Sequence, residues 1–96
     1  MPLTILAKIT ATAGHEARLR KELIKLIAIT RSEDGCLQYD LHEDTSNPRI
    51  FVYYELWQTR ELWQDHMNAP HLAAFAKATA GAIIDFELNE MNQIEK

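Results

Sequence analysis

The sequence is poor in the residues that mark several common kinds of protein site. It has a single cysteine, Cys36, which excludes an intrachain disulfide and favours a reducing compartment. Its three glycines, Gly14, Gly35 and Gly81, stand far apart, so no glycine-rich loop is available to hold a phosphate. These absences exclude the usual nucleotide and flavin fingerprints.

Positive charge and long apolar runs are also scarce. The 10 Lys and Arg residues against 14 Asp and Glu residues give a net charge of −4 at pH 7, and no basic cluster is present. Nucleic acid is therefore excluded as a partner. No segment has the features of a signal peptide or approaches the roughly 20 apolar residues that cross a bilayer. We expect a cytoplasmic protein without a membrane partner, folded as a single domain over residues 1–96.

Along the chain, stretches with the alternation of strands are interspersed with stretches that have the apolar spacing of helices. Runs of β-branched, apolar and aromatic residues, several of them alternating, predict strands over 3–11, 36–43, 50–57 and 83–91. Helical spacing predicts an amphipathic helix over 15–31 and two shorter helices, over 60–67 and from Pro70 to about Ala80. This order is typical of an α+β, ferredoxin-like sandwich, in which four antiparallel strands carry helices on one face.

The third predicted strand is apolar on both of its faces, although helices can cover only one. Its alternating positions are Ile50, Val52, Tyr54 and Leu56 on one side, and Phe51, Tyr53 and Trp57 on the other. An uncovered apolar face on so small a domain indicates an interface. We expect a homodimer in which the open sheet faces pack against each other.

The corner between the third strand and the following helix is the best candidate for a functional site. Glu55 shares a strand face with Trp57 and Tyr53, and a carboxylate there is costly to bury unless it is paired. Two interpretations of Glu55 stay open. It pairs with an arginine such as Arg31 or Arg49, or it is an acid or base with a raised pKa.

Two histidines, His66 and His71, flank the helix break at 68–70 and are candidates for the rim of a cleft. Their spacing along the chain matches no metal motif, and neither does His42 beside Asp40. A two-histidine, one-carboxylate iron site is conceivable, but we expect no metal and no organic cofactor. Such a corner would suit proton abstraction from a phenol or an enol.

Four stretches together resemble the antibiotic biosynthesis monooxygenase family, in particular its small quinol monooxygenases. They are GHE at 14–16, EDGCLQYDLHED at 33–44, NPRIFVYYELW at 47–57 and WQDHMNAPHLAAF at 63–75. The resemblance covers almost the whole chain, and it implies a dimeric α+β barrel. It also implies oxygenation of a quinol, or of a related electron-rich aromatic, by dioxygen without a cofactor.

The resemblance also implies roles for individual residues. His66, Trp57 and Tyr39 match catalytic positions of the pattern. The expected substrate-binding residues are Tyr53, Glu55, His71 and Phe75.

Other branches of the superfamily supply the alternatives. Haem degradation is disfavoured, because Lys8, His66 and Ala76 stand where that branch has asparagine, tryptophan and histidine. An isomerase of a phosphorylated hydroxy-dicarbonyl stays open, and it would need cationic partners for the phosphate. A non-catalytic dimer that binds aromatic metabolites stays open as well.

Overall fold

The computed structural model describes residues 2–95. The elements run in the order β1 (Leu3–Ala11), α1 (Glu16–Arg31), β2 (Cys36–Glu43), β3 (Ile50–Trp57), α2 (Arg60–Met67), α3 (Pro70–Ala78) and β4 (Ile83–Met91). All the predicted strands and helices are confirmed. The first helix begins one residue later than predicted, and α3 ends at Ala78 rather than near Ala80. Among residues 2–95, none of the helices has the length and apolar character needed to span a membrane.

The four strands form one antiparallel sheet in the order β2–β3–β1–β4. This is the ferredoxin-like α+β fold that the sequence predicts. The register places Ile5 opposite Glu55 and Ala7 opposite Tyr53, so these side chains share one face of the sheet. The helices cover that face, and the core lies between the two layers with Trp57 fully buried at its edge.

The opposite face of the sheet is uncovered, and its apolar residues lie mainly on the two central strands. Leu6, Val52 and Tyr54 are half-buried there, held between neighbouring strands. The outer strands present exposed polar side chains on the same face, such as His42 and Glu87. The open face is therefore an apolar band that the exposed Lys8 interrupts on β1, with mostly polar edges. It is less apolar than the third strand alone suggests.

Local sequence signals fix the segments that carry the candidate site. The Thr59 hydroxyl accepts a hydrogen bond from the Leu62 backbone N–H and so caps the start of α2. Pro70 opens α3, where its fixed φ is favourable. Gly35, with φ at +81°, packs so closely under Leu62 that a Cβ atom would lie 2.8 Å from the Leu62 Cβ. This contact sets the turn between α1 and β2 against α2.

Candidate active site

The strands place two tyrosines and a carboxylate side by side beneath the helices. Tyr39 on β2 pairs with Glu55 on β3, and Leu41 pairs with Tyr53, so all four face the helical layer. The Tyr39 and Tyr53 rings stack with their centroids 4.4 Å apart. The Tyr53 hydroxyl donates a hydrogen bond to the Leu23 carbonyl oxygen. Burial raises the pKa of both tyrosines, which keeps their hydroxyls protonated.

Among the described residues 2–95, Glu55 is buried without an arginine partner, so of its two interpretations the pairing with Arg31 or Arg49 is wrong. Its Oε1 instead accepts a hydrogen bond of 2.8 Å from the Trp57 indole N–H. The pKa of Glu55 is raised to about 7, mainly by burial; the hydrogen bond from Trp57 lowers it, and the charge of Glu33 adds to the increase. The raised-pKa interpretation of Glu55 is the one that the geometry supports.

The two arginines are used elsewhere. Arg31 binds Asp40 and the Tyr39 carbonyl oxygen from outside the sheet edge. Arg49 donates to the Ala11 carbonyl oxygen, where it supports the end of β1. Both arginines already donate hydrogen bonds to backbone carbonyl oxygens, so neither pairs with Glu55.

His66 lies at the centre of the cluster with 2% of its side chain exposed. Its ring is 4.8 Å from the Trp57 ring and 5.7 Å from the Tyr39 ring, measured between centroids. Burial lowers the pKa of His66, while the neighbouring Glu33 carboxylate partly offsets that effect. The imidazole is therefore neutral at pH 7.

The partner of His66 is Glu33, which the sequence does not single out. The distance from His66 Nδ1 to Glu33 Oε2 is 2.6 Å. Because the carboxylate can only accept, it fixes the tautomer with a proton on Nδ1 and a lone pair on Nε2. In the sequence, Glu33 belongs to a Ser-Glu-Asp-Gly turn, and nothing in its spacing separates it from Asp34. Only the packing of that turn against α2 brings Glu33 to His66.

His71 is the second histidine of the cluster. Its Nε2 lies 3.4 Å from the same Glu33 oxygen, and the two imidazole centroids are 5.9 Å apart. The helix break at 68–70 makes this approach possible, because it turns the start of α3 back toward the end of α2. The structure thus joins His66 and His71 through one carboxylate.

A small cavity of about 60 Å³ lies between the sheet and the helices, beside His66. Four of the expected site residues with polar groups line it: Tyr39, Tyr53, Glu55 and His66. Phe75 lines it as well, whereas Trp57 and His71 stand behind His66 and contact the cavity only through it.

The cavity continues toward an open apolar groove of about 620 Å³ between the helices α2 and α3 and strand β4. The two spaces share Met67, Leu72, Phe75 and Phe86 as a common wall. Neither lining includes a lysine or an arginine from the described residues 2–95. The arrangement can hold the edge of a flat, neutral molecule beside a basic nitrogen, and it offers nothing to balance an anionic group.

Comparison with known proteins gives the family. The model of the antibiotic biosynthesis monooxygenase family matches residues 2–78. The chain belongs to this family. The resemblance stated from the four sequence stretches is thereby confirmed.

Three individual proteins illustrate the similarity. PA3566 of Pseudomonas aeruginosa has a crystal structure that superposes with a TM-score of 0.94 at 34% identity, covering 98% of this chain and 95% of PA3566. Rv0793 of Mycobacterium tuberculosis is 29% identical over 83 residues, which cover 86% of this chain and 80% of Rv0793. "Probable quinol monooxygenase YgiN" of Escherichia coli is 23% identical over 96 residues, covering 90% of this chain and 92% of YgiN.

Proposed function

We propose that this protein is a cofactor-independent monooxygenase that oxidises a quinol or a related electron-rich aromatic with dioxygen. The observation that carries the proposal is the neutral, buried His66, held by Glu33 and facing stacked tyrosines in a cavity without cationic side chains. Membership of the monooxygenase family supports the reaction type. The name of the relative YgiN supports the substrate class.

In the proposed reaction, His66 Nε2 accepts the proton of one substrate hydroxyl group. Glu33 stabilises the imidazolium that forms, because its carboxylate already binds Nδ1–H. The resulting phenolate is electron-rich enough to transfer an electron to dioxygen, and recombination forms a carbon–oxygen bond at the ring. Loss of water then leaves a hydroxyquinone, so one quinol and one dioxygen give one hydroxyquinone and one water.

The other residues have supporting roles in this proposal. The protonated hydroxyl of Tyr39 can donate to a substrate oxygen, and Tyr53 supports the Tyr39 ring by stacking. Trp57 packs on His66 and orients it. Phe75 provides an apolar wall for the ring, and His71 lies beside Glu33 at the rim. The apolar lining excludes water, which strengthens each of these electrostatic interactions.

The isomerase alternative has less support from the site. A phosphorylated dicarbonyl needs cationic partners, whereas the acidic residues at this site are Glu33 and Glu55. Lys8 lies exposed on the open face of the sheet, and Arg31 and Arg49 have the partners described above. A dianionic phosphate in the cavity would be repelled.

We also propose that the protein acts as a homodimer through the open face of its sheet. The apolar band formed by Leu6, Val52 and Tyr54 supports this, because a self-complementary contact would bury it. The polar edges of the same face would then form the rim of the interface.

The test is oxygen consumption by chelator-treated protein with a panel of dihydroquinones and anthrones, corrected for their spontaneous oxidation. We expect saturable uptake that falls at least about 100-fold in His66→Ala. The matched control is His15→Ala, at the start of α1 and outside the cavity. Uptake that survives in His66→Ala would remove His66 from the reaction. Tight binding of the same compounds without uptake would instead favour the non-catalytic binder.

A further inference from the structure

We propose that Glu33, His66 and His71 form a binding site for a divalent transition-metal ion. The three candidate ligand atoms are Glu33 Oε2, His66 Nδ1 and His71 Nε2, and all lie within 4.8 Å of one another. The sequence-based expectation of no metal rests on histidine spacing along the chain. Histidine spacing cannot reveal Glu33, because this residue lies far away in the sequence, in the α1–β2 turn, and only the fold brings it to the two histidines.

The distances are close to those of a coordination shell. Bonds of about 2.0–2.1 Å from a metal to nitrogen or oxygen place neighbouring ligand atoms roughly 3.0–3.4 Å apart. The distance from Glu33 Oε2 to His66 Nδ1 is 2.6 Å, and that to His71 Nε2 is 3.4 Å. These two values bracket the required spacing, and the two histidine nitrogens lie within 4.8 Å of each other, so side-chain rotations would be needed to admit an ion between the three atoms.

A second, independent observation is the state of His71 Nε2. This atom is buried and makes no hydrogen bond to any of residues 2–95. A buried polar atom without a partner destabilises a folded protein. Glu33 Oε2 is its nearest acidic neighbour at 3.4 Å. A cation bound by both atoms, and by His66, would satisfy the orphaned nitrogen.

The donor set indicates the class of metal. Two imidazoles and one carboxylate are typical of zinc and of non-haem iron(II), with the remaining positions open to water. Glu33 and His71 are partly exposed, with 19% and 18% of their side chains accessible, so an ion can enter from solvent. The two neutral imidazoles and single carboxylate would leave a divalent ion with one net positive charge.

Metal binding and the proposed reaction exclude each other at His66. A metal on His66 Nδ1 takes that lone pair and leaves the ring proton on Nε2, so the nitrogen that accepts the substrate proton in the proposed reaction would no longer be basic. The three ligands come from the α1–β2 turn, from α2 and from α3. An ion bound there would tie these segments together and stabilise the folded state.

The experiment measures metal binding by tag-free, chelator-treated protein. Zinc(II) is titrated calorimetrically, and cobalt(II) is followed by its visible absorption, which reports nitrogen ligation. We expect one ion per chain and a rise in Tm on zinc addition. Glu33→Gln and His71→Ala should each weaken binding at least about 100-fold and abolish the rise. The matched control, His15→Ala, should bind like the wild-type chain.

Two outcomes would overturn the proposal. One is the absence of stoichiometric binding by the folded wild-type protein. The other is wild-type affinity in His71→Ala, whose partly exposed position allows the variant to fold. The readout is binding rather than turnover, so the result is independent of whether the quinol reaction occurs. Oxygen uptake without metal binding would refute this site alone.

Discussion

Glu55 makes a prediction about stability that can be worked out from its burial. Its pKa is about 7 in the folded protein, against an ordinary value of 4.5 that applies to the unfolded chain. Between these two values the folded state holds a proton that the unfolded state has lost. Stability from this group is therefore fully present below about pH 4.5 and is lost as the pH rises to about 7. The shift corresponds to roughly 3 kcal/mol.

The perturbation is Glu55→Gln, which removes the titration and keeps an oxygen to accept the Trp57 indole N–H. The free energy of unfolding should be measured by urea denaturation between pH 5 and 8 at one chain concentration. The variant and the wild-type chain should be similarly stable near pH 5, and the variant should be more stable by roughly 3 kcal/mol near pH 8. Glu61→Gln, an exposed change on α2, is the control.

A stability difference between Glu55→Gln and the wild-type chain that does not change with pH would refute this reasoning. It would mean that the carboxyl group ionises in the folded state as readily as in the unfolded chain. The cavity would then be wetter than its lining indicates. Its electrostatic interactions would be correspondingly weaker.

Two further predictions concern the sheet and the turn beside the site. Val52→Asp, on the open face, should give folded monomers in size-exclusion chromatography with light scattering. Phe51→Asp should instead unfold the chain, because the Phe51 side chain is only 1% exposed and lies under the helices. A dimeric Val52→Asp variant would contradict the proposed interface. Gly35→Ala should lower the free energy of unfolding by roughly 1–3 kcal/mol, and by more than Gly81→Ala, because only Gly35 has Leu62 within contact distance. Equal losses in thermal denaturation would show that the Leu62 contact is unimportant.

The fold was predictable because each strand and helix has a strong local signal. β3 has β-branched or aromatic residues at six of its eight positions, and α2 begins at a capping Thr59. Strand alternation also predicts that Tyr53, Glu55 and Trp57 share a face. These signals are local, so they can be recognised without knowing what packs against them.

The centre of the candidate site was only half predictable, because contacts between distant segments form it. His66 was found, but its partner Glu33 lies 33 positions earlier in the chain. The two meet because Gly35 lets the turn pack under Leu62, a contact between distant segments. The same limit explains the wrong pairing for Glu55. The sequence offers Arg31 and Arg49 as cations that could pair with Glu55. In the fold, both donate to backbone carbonyl oxygens elsewhere.

The helix α3 differs from α1 and α2 in that none of its residues is fully buried. It rests on the half-buried Leu72 and Phe75, and the Arg18 guanidinium holds its carboxyl end through the Ala78 and Ala80 carbonyl oxygens. Tyr39, Glu55, His66 and Glu33 lie on strands, on α2 and in the α1–β2 turn, whereas α3 contributes His71 and the wall residues Leu72 and Phe75. The room in the cavity and the chemical groups around it therefore depend largely on different elements. A substitution at Leu72 or Phe75 would change the room beside His66 and leave the His66–Glu33 contact in place.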